Sequence, residues 1–304
     1  MSARTRIAVV IPCFNDGETL PEAVRSAQDQ EPCEIVVVDD GSVDENTLEV
    51  LARLRADGVR VIRQENGGVA KARMTAVHAT SAPYVFPLDA DDVLLPRSLT
   101  ALADHLDAHP EVDLVWGRYR FFGERSHVKD VARTLDPWVV TYVNDLPIST
   151  MIRRTALVAF GGWEYGRAYE DWDLWMRLAH RGAVGRGLSV VVYAQRLHGM
   201  RTARKAIPQF PQLYDELRRR NLALFEARAA TRKLSTAPLS VKVLFPLIDA
   251  IWPRDSYRKG ALLASVLHIA NRRGGYSRPL VRSTRRLWRG VGSRTRQREN
   301  LADG

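Results

Sequence analysis

The sequence predicts an α/β protein: a doubly wound, mostly parallel sheet followed by a helical, basic C-terminal extension. Strand-like and helix-like segments alternate from residue 7 to about residue 108, the pattern of parallel strands joined by right-handed crossovers. The strand-like segments are continuous apolar runs, so both faces of the sheet are expected to be covered. Charge then divides the chain. Residues 201–304 hold 23 Lys and Arg against 7 Asp and Glu, a net +16, whereas residues 1–200 carry a net −6. The expected division is an α/β domain over 1–207 and a basic extension over 208–304, its last ten or so residues disordered.

The elements follow in order. Ile7-Ala8-Val9-Val10-Ile11 is a buried strand stopped by Pro12, and Asn15-Asp16-Gly17 is a turn. Leu20, Ala23, Val24 and Ala27 recur at i, i+3, i+4, i+7, which makes an amphipathic helix with Pro21 tolerated in its first turn. Glu34 to Val38 is a second buried strand, ending at Asp39-Asp40-Gly41-Ser42. Asp44 caps the next helix, with Leu48, Leu51 and Leu54 on its inner side. Val59 to Ile62 is a short third strand. Gly67-Gly68 leads into a helix to about Thr80, and Tyr84 to Leu88 is a fourth strand. A helix from about Arg97 to Ala108 ends the alternation.

Beyond it, Val112 to Trp116 and Tyr119 to Phe122 read as two strands, and Gly161-Gly162-Trp163 as a turn. Trp172, Trp175, Met176 and Ala179 repeat with helical spacing, so the two tryptophans are read as packing and Asp173 and Arg177 as an i, i+4 ion pair. Val190 to Tyr193 is a last strand, leading to Arg196-Leu197-His198. The extension is helical, with apolar stretches from Val241 to Trp252 and from Ala261 to Ala270. No internal repeat is visible.

Composition narrows the class. A hydrophobic content of 45% over 304 residues is that of a globular chain able to bury a full core. Two cysteines, Cys13 and Cys33, are too few for a disulfide framework; they fit a reducing compartment and read as small apolar residues. The first apolar run is too short for a secretory signal, and no stretch reaches the ~18 apolar residues of a membrane span. The expected location is the cytoplasm.

The strand from Tyr84 ends in Leu88-Asp89-Ala90-Asp91-Asp92, three carboxylates within four residues. Packed so closely they repel one another unless a cation sits among them, and a divalent ion is the usual answer. Polar clusters also follow the first and second strands (Pro12-Cys13-Phe14-Asn15 and Asp39-Asp40-Gly41-Ser42), and Glu170-Asp171 opens a helix. Each alone could be a turn or cap. In a doubly wound sheet the first three line one crevice at the carboxyl ends of the strands, where ligands bind.

These motifs, in this order, resemble the family 2 glycosyltransferases with the GT-A fold: Val10-Ile11-Pro12-Cys13-Phe14-Asn15, Val37-Val38-Asp39-Asp40-Gly41-Ser42, Asn66-Gly67-Gly68-Val69-Ala70-Lys71-Ala72-Arg73, Leu88-Asp89-Ala90-Asp91-Asp92 and Glu170-Asp171-Trp172-Asp173-Leu174-Trp175. The resemblance runs from about Ile7 to about His198. One departure is Met74, where the family often has Asn after Ala-Arg.

The resemblance implies an inverting transferase that takes a sugar from a nucleotide-diphosphate donor, UDP-linked in the best-known relatives, to a saccharide or lipid-linked acceptor. Pro12, Phe14 and Asn15 would frame the nucleotide, with Phe14 against the base. Asp40 would hydrogen-bond the base, with Asp39 beside it, and Arg73 and Lys71 would bring positive charge near the diphosphate. Asp91 would face the ribose and donor sugar. Asp92, with Asp91 and His198, would serve a Mn²⁺ or Mg²⁺ ion, and Asp89 would support the turn. Asp171, with Glu170, would be the catalytic base, kept ionised by the dipole of its helix. The residue types suit the chemistry: a hard cation prefers oxygen ligands, and an attacking hydroxyl needs a carboxylate within reach.

Two other readings remain open on the residues. A sugar nucleotidyltransferase also joins an α/β sheet to paired aspartates, but needs a Gly-rich basic loop after the first strand, which Pro12-Cys13-Phe14-Asn15 is not. A nucleotide-sugar-binding module without activity would keep the fold. The basic extension points to an anionic partner, a membrane surface and not a nucleic acid, met by amphipathic helices at the inner membrane face. Helices packed on the α/β domain with a solvated basic end are the alternative.

Overall fold

The computed structural model of the chain describes residues 5–123, 126–197, 207–252 and 255–273. Strands β1 (Ile7–Cys13), β2 (Glu34–Asp39), β3 (Arg60–Arg63) and β4 (Tyr84–Pro87) are mutually parallel, in spatial order β3–β2–β1–β4. Helices α1 (Leu20–Gln28), α2 (Glu45–Ala56) and α3 (Val69–His78) make the crossovers. All seven residues of β1 are buried, as its unbroken apolar run requires. Alternate residues go to opposite faces: Ile7, Val9 and Ile11 join α1, and Val10 joins α3.

Helix α1 buries the four predicted positions and carries Pro21 in its first turn. Asp44 caps α2, its carboxylate accepting from the Thr47 amide at 2.8 Å. The buried side of α2 differs from expectation. It comprises Thr47, Val50 and Leu51, and Leu48 is exposed. The capped first turn rotates Thr47 inward, where its hydroxyl also takes the Gly17 amide.

The chain builds outward from β1 to β3 and then returns to the far side of β1 for β4. That reversal opens a crevice between the carboxyl ends of β1 and β4, the usual ligand position in such sheets.

The second half completes the sheet. Short β5 (Val93–Leu94) and α4 (Ser98–Ala108) lead to β6 (Leu114–Gly123), β7 (His127–Lys129), β8 (Met151–Arg153), α5 (Arg154–Ala159), α6 (Glu170–His180) and β9 (Gly185–Leu197). Their order beyond β4 is β8–β6–β9–β5, with β7 paired to β6. The two strands expected between Val112 and Phe122 are one strand with an irregular register after Trp116. Gly117 permits it, because a Cβ there would come within 2.3 Å of Val192 on β9.

The C-terminal helices α7 (Phe210–Arg220), α8 (Leu222–Glu226), α9 (Arg228–Leu234), α10 (Leu239–Ile251) and α11 (Tyr257–Arg273) pack on this body. Phe210, Tyr214, Leu217 and Phe225 share a core with Trp172 and Trp175, and Val241, Phe245, Leu263 and Leu267 close over Trp138 and Tyr142. Asp173 is fully buried, paired with Arg177 at 2.9 Å as predicted and also with Arg220 at 3.0 Å on α7. The composition change near 207 is therefore not a change in packing. The disorder expected at the C-terminus lies outside the described residues. Cys13 is buried, Cys33 is half-buried, and both are free thiols.

Candidate active site

The wall formed by β1 and β2 is held together by its own polar side chains. Asn15, with φ 58°, accepts through Oδ1 from the amides of Val43 (2.9 Å) and Asp44 (3.1 Å), while its own amide donates to Ser42. Asp39 accepts from the Ser42 amide at 2.8 Å and from Arg63 at 2.7 Å. Asp40 accepts from Gln64 Nε2 and from the amides of Gly67 and Gly68, all within 2.9 Å. Gly68 has φ 85°, which lets the loop turn both amides onto the one carboxylate.

Asp39 and Asp40 are only 2% and 3% exposed. Asp39 locks its own turn with both carboxylate oxygens, and Asp40 staples the glycine loop with one lone pair left on Oδ2, so the hydrogen bond expected from Asp40 to the base has that lone pair open to it. Pro12 is likewise buried inside β1. Phe14, 46% exposed, and the exposed Asn15 and Lys71 are the members of the predicted nucleotide set that offer free surface.

At the end of β4, one carboxylate oxygen each from Asp89, Asp91 and Asp92 lies within 4.8 Å of the others. Asp92 is fully buried and accepts from the Arg196 amide at 3.1 Å. The Arg196 Nε donates to the Asp91 carbonyl at 3.3 Å, and its guanidinium lies 4.5 Å from the centre of the Phe122 ring. The end of β9 is thereby tied to the acidic turn. Three oxygens converging at this spacing suit a hard divalent cation. Asp89 supports the turn as expected, its carbonyl accepting the Asp92 amide. His198 lies outside the described residues.

Arg73 joins this cluster to α6. It is 2% exposed, with one terminal nitrogen 2.7 Å from Asp89 and the other 2.7 Å from Glu170. Its guanidinium also lies 5.8 Å from the Trp163 ring. Both ends of the guanidinium are occupied, so the positive charge expected near the diphosphate is shared with the carboxylates of Asp89 and Glu170. Glu170 is held by Arg73 through one carboxylate oxygen. Met74 packs on Gly162, where a Cβ would meet its sulfur at 2.3 Å, so the departure from the family pattern is a fit between α3 and the turn before α6.

Asp171 is half-buried at the first turn of α6, preceded by Tyr169 in a left-handed conformation with φ 72°. One oxygen accepts from the Trp172 amide at 2.8 Å and the other from Asn144 Nδ2 at 2.9 Å. Burial, and then the neighbouring Glu170 charge, push its carboxyl up to about 7, against the pull of those two donors and of Arg73. A carboxylate titrating near neutrality is matched to proton abstraction.

A family model described as glycosyl transferase family 2 matches residues 8–169, more than half of the chain. The chain belongs to that family. Among sequence relatives, the succinoglycan biosynthesis protein ExoU of Rhizobium meliloti is 38% identical over 106 residues, covering 33% of this chain and 30% of the relative. The chain spans less than half the length of the curated relatives that it matches. Among solved structures, S. aureus TarS residues 1–349 in complex with UDP-GlcNAc superposes with a TM-score of 0.64 at 19% identity, covering 88% of each chain. A mannosyltransferase from Pyrobaculum calidifontis with GDP-Man and Mn²⁺ gives 0.51 at 19% identity, covering 88% of this chain and 86% of the other. These likenesses establish the GT-A architecture.

Within this family 2 chain, the motif reading missed Asn144, Gln64, Arg63 and Arg196. Asn144 sits in an irregular segment, and its contact with Asp171 spans 27 positions, so no periodicity announces it. Arg196 followed a predicted strand, which was a usable signal. A separate cavity of about 250 Å³ is lined by Arg118, Asp130, Arg133, Asp145 and His268 among others, and none of the acidic-turn residues or Asp171 lines it. The acidic crevice is the candidate site, because the converging carboxylates and Asp171 are there.

Proposed function

We propose that the protein transfers a sugar from a UDP-sugar to an acceptor hydroxyl, with inversion, through the crevice between the Asp89–Asp92 turn and the start of α6. The observation that carries the reading is the Arg73 bridge, which ties a candidate donor-binding carboxylate cluster to a candidate base at fixed separation. The relatives lend support: one is named for succinoglycan biosynthesis, one structure holds UDP-GlcNAc, and another holds GDP-Man with Mn²⁺.

Phe14 provides an aromatic face for the base, and Asp40 Oδ2 keeps one lone pair for a ring N–H. Lys71, exposed in the first turn of α3, contributes positive charge towards the diphosphate. Asp91 and Asp92 would hold a divalent cation, Mn²⁺ or Mg²⁺; when bound, it offsets charge on the leaving diphosphate oxygens. Asp171 takes the proton of the acceptor hydroxyl as that oxygen bonds to the anomeric carbon. The bond from that carbon to the phosphate oxygen breaks, and the nucleoside diphosphate leaves with the electron pair. Attack opposite the leaving group inverts the centre. Asn144 and the Trp172 amide fix the direction in which Asp171 points, while Arg73 and Glu170 set its distance from the acidic turn.

The acceptor class is a saccharide, free or lipid-linked, in cell-envelope or extracellular polysaccharide synthesis. A screen of nucleotide sugars with Mn²⁺, with Mg²⁺ and with chelator, reading binding and slow hydrolysis, tests the proposal without an acceptor. A UDP-sugar bound only when a cation is present is the expected result. Absence of binding by every nucleotide sugar under every condition would overturn it.

A further inference from the structure

We propose that the outward face of the α10–α11 pair is a docking surface for an anionic lipid bilayer, on which the protein lies without crossing. The two helices pack on each other and turn Val241, Phe245, Leu263 and Leu267 onto one cluster with Trp138 and Tyr142, so both outer faces point away from the same core.

In a soluble surface helix the face opposite such a buried stripe is polar. Here it is apolar. On α10, Leu239, Val243, Leu247 and Ile251 recur every four residues with exposures of 77%, 51%, 50% and 74%, and Leu244 beside them is 36% exposed. Leu262 and Ile269 continue the surface on α11, 42% and 53% exposed. Trp252 and Tyr257 lie exposed where the two helices meet, the residue types that favour a membrane–water boundary. A contiguous apolar face of this kind marks an interaction site.

Charge selects the occupant. The two acids of this helix pair are neutralised by ion pairs: Asp249 pairs with Lys259 and Arg228, and Asp255 with Lys259. Arg232, Lys233 and Arg258 remain exposed around the face, in a segment whose net charge from residue 201 onward is +16. A second copy of the chain, or the Arg-rich residues 274–304 themselves, would bring like charge to a basic surface. A bilayer carrying anionic headgroups meets both the apolar face and the basic rim. Among the described residues no helix is long and apolar enough to cross a membrane, so the pair lies in the interface.

The test uses the full chain and sedimentation with vesicles of phosphatidylcholine alone or mixed in equal parts with phosphatidylglycerol. Wild-type protein is expected to pellet with the mixed vesicles, less at high salt, and not with the neutral ones. Substituting Leu239→Glu and Ile251→Glu together should weaken vesicle binding roughly tenfold or more, by removing two apolar insertions and adding repulsion. The milder Leu239→Ser and Ile251→Ser pair should give an intermediate loss. UDP-sugar binding and melting temperature should be unchanged in both, since these positions are exposed and remote from the crevice. Vesicle binding equal to wild type in the Glu pair would overturn the proposal. So would loss of a dimer in light scattering with vesicle binding intact, which would give the face to a second copy.

Discussion

Replacing Arg73 with methionine keeps most of the apolar stem and removes the one charge that joins the acidic turn to α6. The guanidinium is 2% exposed, and its partners Asp89 and Glu170 are 29% and 14% exposed, each 2.7 Å away. Removing one partner of a buried ion pair costs about 3–5 kcal/mol, because the remaining charges stay desolvated without compensation. Loss of the contact with Trp163 adds roughly 0.5–1 kcal/mol. For a chain of this size each kcal/mol lowers the melting temperature by about 2–4 °C, so a fall of roughly 7–24 °C is expected at pH 8. Differential scanning calorimetry reads it. Glu170→Gln alone should cost less, since Asp89 still neutralises Arg73. A melting temperature within about 2 °C of wild type at pH 8 would refute the claim that Arg73 holds the two halves of the site together.

The remaining predictions concern titration and the donor. Transfer should fall as pH drops through about 7, since Asp171 must be ionised to accept a proton. Asn144→Ala removes a donor that favours the ionised form, so the acidic limb of a pH–rate profile should move to higher pH. Asp145 is also pushed up to about 7, by burial and against Lys129. Its folded carboxyl therefore titrates above the unfolded one, and stability is lost as pH rises from about 4 to 7. Asp145→Asn should be more stable than wild type above pH 7 by roughly 1–3 kcal/mol in urea unfolding, with the gain vanishing towards pH 4. Phe14→Ala should weaken UDP binding by about 1–2 kcal/mol in calorimetry, the usual worth of a base–aromatic stack, and leave stability unchanged because the ring is 46% exposed.

What could be read from the sequence follows from locality. Strands β1, β2 and β4 announced themselves because sheets covered on both faces demand apolar runs, and each lies close to its crossover helix in the chain, whereas β3 is a short edge strand with an arginine at each end. Asp89, Asp91 and Asp92 were visible because three carboxylates cannot sit together without a purpose. Trp172 and Trp175 were correctly read as packing from helical spacing alone, and both are buried. Strand β8, at three residues, is too short for any periodicity and exists because β4 and β6 flank it.

Roles set by distant partners were hidden. Arg73 seemed a free cation until Glu170, 97 positions away, took one end of it. The loop amides that Asp39 and Asp40 accept from were hidden, because a polar residue at a strand end looks the same whether it meets a ligand or a loop amide. The helix position of Asp171 is readable, whereas its burial is a property of the fold.

The central claim is that Asp171 takes the acceptor proton while the acidic turn holds the donor. Its most direct test is the transfer rate of the Asp171→Asn protein, with donor affinity measured on the same sample. A positioned general base is worth about 10²–10⁴-fold, so the rate should fall by that factor with donor affinity unchanged. Transfer at the wild-type rate would contradict the account, as would a loss of donor binding that matches the loss of rate.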